Sequence, residues 1–159
     1  MEKAVSKTFK KLIVFVSAAC IFLYGVVIPY LGKEIIQSMG GEFKNYYGPW
    51  LALIWLTALP LAIAFTDAWK ITSNIEKGRS FSVCTAKMLK NISVLAALDS
   101  GIFMAGNILY MILNISHPSV FLASTAVCAF GVCLSVFMGS VSKLAEKAAD
   151  IKSENDLTV

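Results

Sequence analysis

Four apolar runs, at residues 12–31, 50–69, 92–113 and 120–141, constrain this chain more than any other feature. An α-helix rises about 1.5 Å per residue and the hydrocarbon core of a bilayer is about 30 Å thick, so roughly 20 mostly apolar residues span it. Each run qualifies. The expected fold is all-α: an integral membrane four-helix bundle, one domain over residues 1–159, with a cytoplasmic tail at 142–159. Composition points the same way. The chain is 57% hydrophobic and 15% charged, whereas soluble domains carry about 45–50% apolar and about 25% charged residues. Any chemistry must sit on the spans or on the short segments between them.

The net charge of +4 does not indicate nucleic acid, because the cations segregate by segment and not along one face. Lys3, Lys7, Lys10 and Lys11 precede the first run; Lys70, Lys77, Arg79, Lys87 and Lys90 lie between the second and third. By the positive-inside rule both segments are cytoplasmic. The first outer segment balances Lys33 and Lys44 with Glu34 and Glu42, and the 114–119 hairpin has no Lys or Arg. An even number of spans returns the C-terminus to the cytoplasm, where Lys143, Lys147 and Lys152 agree. The stretch Ser17-Ala18-Ala19-Cys20 is a poor cleavage site, since hydrophobicity runs on to Leu31.

Punctuation refines this outline. The first span is expected to end around Pro29, and Pro60 to kink the second. Trp50 and Trp69, roughly 28 Å apart along a helix, mark two interfacial belts. Gly78 terminates one helix, Ser80 or Ser82 caps the next, and the fourth helix continues inward as an amphipathic stalk with Leu144, Ala148 and Ile151 on its apolar side.

Asp99 is the foremost candidate for chemistry, because a carboxylate inside a span costs at least roughly 2.5–3.5 kcal/mol on insertion scales. At 100° per residue Asn107, Tyr110 and Asn114 share its side of the helix, forming an intramembrane polar stripe. It serves either an ion or ligand pathway or an interhelical hydrogen bond to Ser17, Thr57 or Ser135. Asp67 is within reach of Lys70 or Arg79. Two rows of small residues, Ala97–Gly101–Ala105 and Gly131–Ser135–Gly139, are expected to pack helices closely within one chain or across a homodimer. Four cysteines without a Cys-x-x-Cys pair and a single histidine, His117, offer no metal site, and neither a phosphate loop nor a nucleophile motif is present. No catalytic residue and no cofactor is expected, so the chain reads as a non-enzyme.

The segment from Asn74 to Ser82, Asn-Ile-Glu-Lys-Gly-Arg-Ser-Phe-Ser, and the ending Glu154-Asn155-Asp156-Leu157-Thr158-Val159 resemble a bacterial family of four-span membrane proteins of unknown function, the YoaS-like (DUF2975-type) family. The chain departs from it in having Ser80 where Pro is usual and Val159 where Ile is usual. The resemblance implies residence in the bacterial cytoplasmic membrane. Because such proteins are often encoded beside a small helix-turn-helix regulator, it also implies a cytoplasmic protein partner. Arg79, Phe81, Ser82, Asp156 and Leu157 are the candidate contacts for that partner. Three readings follow: a regulatory or sensory membrane protein, a small transporter or channel using Asp99, and a dimerising structural subunit of a membrane complex.

Overall fold

The computed structural model describes residues 2–38, 46–78 and 82–157. They form α1 (Glu2–Phe22), a π turn (Leu23–Val27), α2 (Ile28–Ser38), α3 (Tyr47–Glu76), α4 (Val83–Ile112) and α5 (Pro118–Leu157). Four of the stretches are long and apolar enough to cross a membrane: Ser6–Ile35, Tyr47–Glu76, Val83–Ile112 and Pro118–Glu154.

Burial is inverted relative to a soluble protein. Ser6, Thr57, Thr72, Ser100, Asn107 and Ser142 are inside, while Phe15, Ile21, Leu122 and Phe130 are each more than 70% exposed. A water-soluble chain does not sustain so large an apolar surface. In hydrocarbon it costs nothing, and small polar residues become the packing material because they let backbones approach and hydrogen-bond across helices.

Pro29 does not end the first span. The π turn just before it widens the helix, with the Ile28 N–H bonded to the Leu23 carbonyl. That relaxes the turn against which the ring of Pro29 would otherwise collide, and the helix continues to Ser38. Pro60 lies inside α3, which runs from Tyr47 to Glu76. The α3–α4 turn is built as the residues foretell: Gly78 adopts φ 70°, and Ser82 caps α4 by accepting the Thr85 N–H at 3.2 Å.

The bundle is not closed. Helix packing runs α1 to α3, α3 to α4 and α4 to α5, and among the described residues no substantial contact joins α1 to α5. Lipid tails are as apolar as leucine, so nothing drives the last pair of helices together. A cleft of about 470 Å³ separates the first helical hairpin from the start of α5.

Neighbours are antiparallel. Ser6 Oγ donates to the Thr72 carbonyl at 3.0 Å, Lys10 pairs with Glu76, and Ser142 Oγ donates to the Ala86 carbonyl at 2.7 Å. The start of α1, the α3–α4 turn and the end of α5 therefore share one face. Residues 143–157 of α5 run on past the Ser142–Ala86 bond for roughly 20 Å at 1.5 Å per residue. Along this extension Ala145 and Ala149 are buried, whereas Leu144 and Ile151 are 67% and 60% exposed. The buried side of the stalk is thus displaced by one position from the expected apolar side, along the line of Ser142, Ala145 and Ala149.

Candidate functional site

The polar stripe on α4 separates into unlike parts. Tyr110, near the far end, donates its hydroxyl to the Pro49 carbonyl at 2.8 Å and ties α4 to the first turn of α3. Asn114 belongs to the turn after α4: its φ is 56°, its N–H bonds the Met111 carbonyl, and the Ile115 N–H bonds the Tyr110 carbonyl. This pair of bonds is the Schellman arrangement, and asparagine tolerates the left-handed backbone it needs. Asn107 is fully buried and donates to the Phe103 carbonyl of its own helix at 2.8 Å, its Oδ1 having no partner among the described residues. Asp99 sits mid-span with a buried Oδ1 likewise unpartnered among the described residues. The interhelical bonds expected of it to Ser17, Thr57 or Ser135 are not formed. Thr57 is taken by the Tyr24 hydroxyl at 3.0 Å, and Ser135 by Ser93. The structure therefore leaves two orphan oxygens, on Asp99 and Asn107, and not a continuous polar pathway.

The α4–α5 seam accounts for Gly131, Ser135 and Gly139. Ser93 Oγ donates to the Ser135 carbonyl at 2.7 Å and Ser135 Oγ donates to the Ser93 carbonyl at 2.8 Å. A Cβ at Gly139 would lie 3.0 Å from Ser93 Oγ, and one at Gly131 would collide with Ser100. This row packs within one chain. The row Ala97–Gly101–Ala105 does not: all three residues are exposed, and nothing lies within 4 Å of a Cβ built at Gly101. The small residue that seats α3 on α4 is Gly106, whose would-be Cβ would overlap the Leu53 side chain.

Sequence reasoning missed the full length of the seam. Ser124, Cys128, Ser135, Ser142, Ala145 and Ala149 are buried along α5 at spacings of three, four and their sums, the period of a left-handed helix pair. A search for small residues at alternating three- and four-residue steps finds it, where a search at fixed steps of four does not.

On the face that carries the chain ends, Asp67 accepts from Asn91 Nδ2 and pairs with Lys70 at 3.3 Å. Lys10 bonds Glu76 and lies 5.6 Å from the Trp69 ring centre. Of the candidate partner contacts, Ser82 is occupied in capping α4. Arg79 and Phe81 lie outside the described residues, and Asp156 and Leu157 fall in the last turn of α5 with their side chains outside the described part. His117 caps α5 through Nδ1, which accepts the Ser119 N–H at 3.2 Å, and Pro118 follows at the first helical position. Among the described residues no cluster of three or more His, Cys, Asp or Glu is placed to hold a metal.

A family described as protein of unknown function (DUF2975) matches residues 31–159. The chain belongs to this family. It is also similar to a Bacillus subtilis (strain 168) protein named uncharacterized membrane protein YoaS, 34% identical over 146 residues, covering 89% of this chain and 87% of the relative. No solved structure matches. The resemblance carried by residues 74–82 and the C-terminal hexapeptide thus extends over most of the chain, and this DUF2975 member is a membrane protein with four membrane-length helices.

Proposed function

We propose that this protein is a non-enzymatic regulatory membrane protein that holds a small soluble helix-turn-helix protein at the cytoplasmic face, on the α3–α4 turn and the extension of α5. The observation that carries the reading is the extension itself. Residues 143–157 of α5 project past the seam bond to α4 and present Leu144 and Ile151, seven residues apart on one helical face and each at least 60% exposed. Exposed apolar residues seven apart on one helical face are the anchors a helix-in-groove partner uses. The cytoplasmic placement is supported by charge: twelve of the fourteen Lys and Arg residues belong to the face that carries the chain ends. Arg79, Phe81, Asp156 and Leu157 are the further candidate contacts.

Affinity purification of the tagged protein from native membranes tests this reading. A soluble helix-turn-helix protein should co-purify, and Leu144→Asp, Phe81→Ala or removal of residues 156–159 should reduce its recovery several-fold. Recovery of no soluble partner, with transcripts unchanged in these variants, contradicts it.

A transporter or channel reading draws on one observation, the buried and unpartnered Oδ1 of Asp99 in mid-span, a position where carboxylates commonly serve ion pathways. Flux into proteoliposomes should then disappear in Asp99→Asn. Equal flux in both proteins excludes it.

A further inference from the structure

We propose that the groove between α1 and α3, in the half of the membrane nearer the chain ends, binds an anionic phospholipid, with one acyl chain in the groove and the headgroup phosphate held by lysines at its mouth. The groove has a volume of about 530 Å³; Val14, Ala18 and Ile21 of α1 and Phe65 of α3 line its body, and Trp69 and Lys70 stand at one end. Bonds between side chains fasten the two helices on either side of it. Ser6 reaches Thr72 and Lys10 reaches Glu76 toward the chain ends, and Tyr24 reaches Thr57 toward the opposite end. Between these fastenings α1 presents Ser17 and Ala18, too small to fill the space against Phe65.

Charge at the mouth selects the occupant. Lys70 borders the groove, and Lys10 Nζ lies 5.6 Å from the centre of the Trp69 ring. Lys7 stands seven residues before Val14, and Lys77 seven after Lys70, two helical turns along the same faces, so the groove-facing line of each helix runs on into lysine. Along residues 6–21 of α1 and 65–77 of α3 there are five cations, Lys7, Lys10, Lys11, Lys70 and Lys77, against two carboxylates, Asp67 and Glu76. Both carboxylates are engaged, Glu76 by Lys10 and Asp67 by Lys70 and Asn91. Lys7, Lys11 and Lys77 are exposed and enter no ion pair among the described residues. The Lys70 side chain is 59% exposed and makes one contact with Asp67, at 3.3 Å, which leaves further ammonium donors for an anion.

Depth fits a lipid. From Ile13 to Ile21 the groove follows α1 for about 12 Å at 1.5 Å per residue, nearly the depth of one leaflet, which is half of a core about 30 Å thick. Thr66, on the α3 wall, turns its hydroxyl back to the Ile63 carbonyl at 2.8 Å, so the wall meets a chain as apolar surface. Trp69 marks the membrane boundary, where lysine stems lie along the helix and their ammonium groups reach the headgroup layer. A soluble anion would leave the groove bare, and a neutral lipid would leave the lysines without a counter-charge. An anionic phospholipid meets both demands. This site is independent of the regulator reading and of Asp99.

Photolabelling of the whole protein in nanodiscs tests the proposal with two probes at equal fraction, phosphatidylglycerol and phosphatidylcholine, each carrying a diazirine in one acyl chain. Adducts are mapped by peptide mass spectrometry. Phosphatidylglycerol adducts at residues 13–21 and 65–70 should exceed phosphatidylcholine adducts several-fold, while Phe130 and Val136, exposed on α5, label equally with both. Lys7→Gln, Lys70→Gln and Lys77→Gln together should bring the two probes to parity at the groove. Ala18→Phe keeps every lysine but fills the groove, and should lower phosphatidylglycerol labelling of residues 65–70 several-fold. Equal labelling of the groove by both probes in the wild-type protein overturns the proposal without recourse to any variant. A phosphatidylglycerol excess that survives the lysine substitutions overturns it equally, as does one that survives Ala18→Phe and so belongs to a basic surface alone.

Discussion

Gly131 and Gly101, both in mid-span, show how different the demands on one residue type are. A Cβ at Gly131 would strike Ser100, whereas Gly101 faces open space. Gly131→Val should therefore lower stability by roughly 1–3 kcal/mol, the usual cost of overpacking, and Gly101→Leu should change it by no more than about 0.5 kcal/mol. Equilibrium unfolding in detergent micelles checks both. Ser135→Ala removes one of the two reciprocal bonds to Ser93, and about 0.6 kcal/mol is expected, the average of hydrogen bonds between membrane helices. Asn114→Val forces a β-branched side chain into a left-handed backbone and should cost roughly 1–2 kcal/mol by the same measurement. These roles were unequally legible. The rows of small residues are visible in sequence, but which row meets a neighbour depends on where Ser93, Ser100 and Leu53 come to lie, and no local pattern encodes that. Asn114 reads as polar-stripe by angle alone. Its turn role is written in the following residues, where Ser116, His117 and Pro118 end one helix and start another.

At the scale of the element, helix type and number follow from hydrophobic length, and the ends are where prediction and structure part. Pro29 is a helix breaker by its own chemistry, and only the π turn upstream makes it harmless. Nothing in residues 23–27 signals that widening. Gly78 and Ser82, by contrast, act as their residue types dictate, one adopting a positive φ and the other capping. Ser82→Ala should cost about 1 kcal/mol of stability and speed amide exchange at Thr85 in the first turn of α4. The α5 extension was legible as a charged stalk, yet its buried side is Ala145 and Ala149 and not Leu144 and Ile151. Amphipathic pattern alone assigns the large residues inward. The buried line takes the small ones and leaves the leucine and isoleucine on the outside.

The whole molecule is an open row of helices and not a closed bundle, with a cleft where the closing contact would be. Hydropathy could not foretell this, because bilayer and protein interior reward the same apolar residues. The row has two ends: one gathers the start of α1, the α3–α4 turn and the end of α5, and the other carries the cleft. The proposed regulator contact lies on the first of these, which makes the sidedness of the α3–α4 turn the central claim. It is tested most directly with a membrane-impermeant maleimide on cells expressing the protein. Cys84, exposed in the first turn of α4, is expected to react only after permeabilisation, while Asn114→Cys in the opposite turn should be labelled in intact cells. Labelling of Cys84 in intact cells, with Asn114→Cys protected until the membrane is opened, contradicts the account.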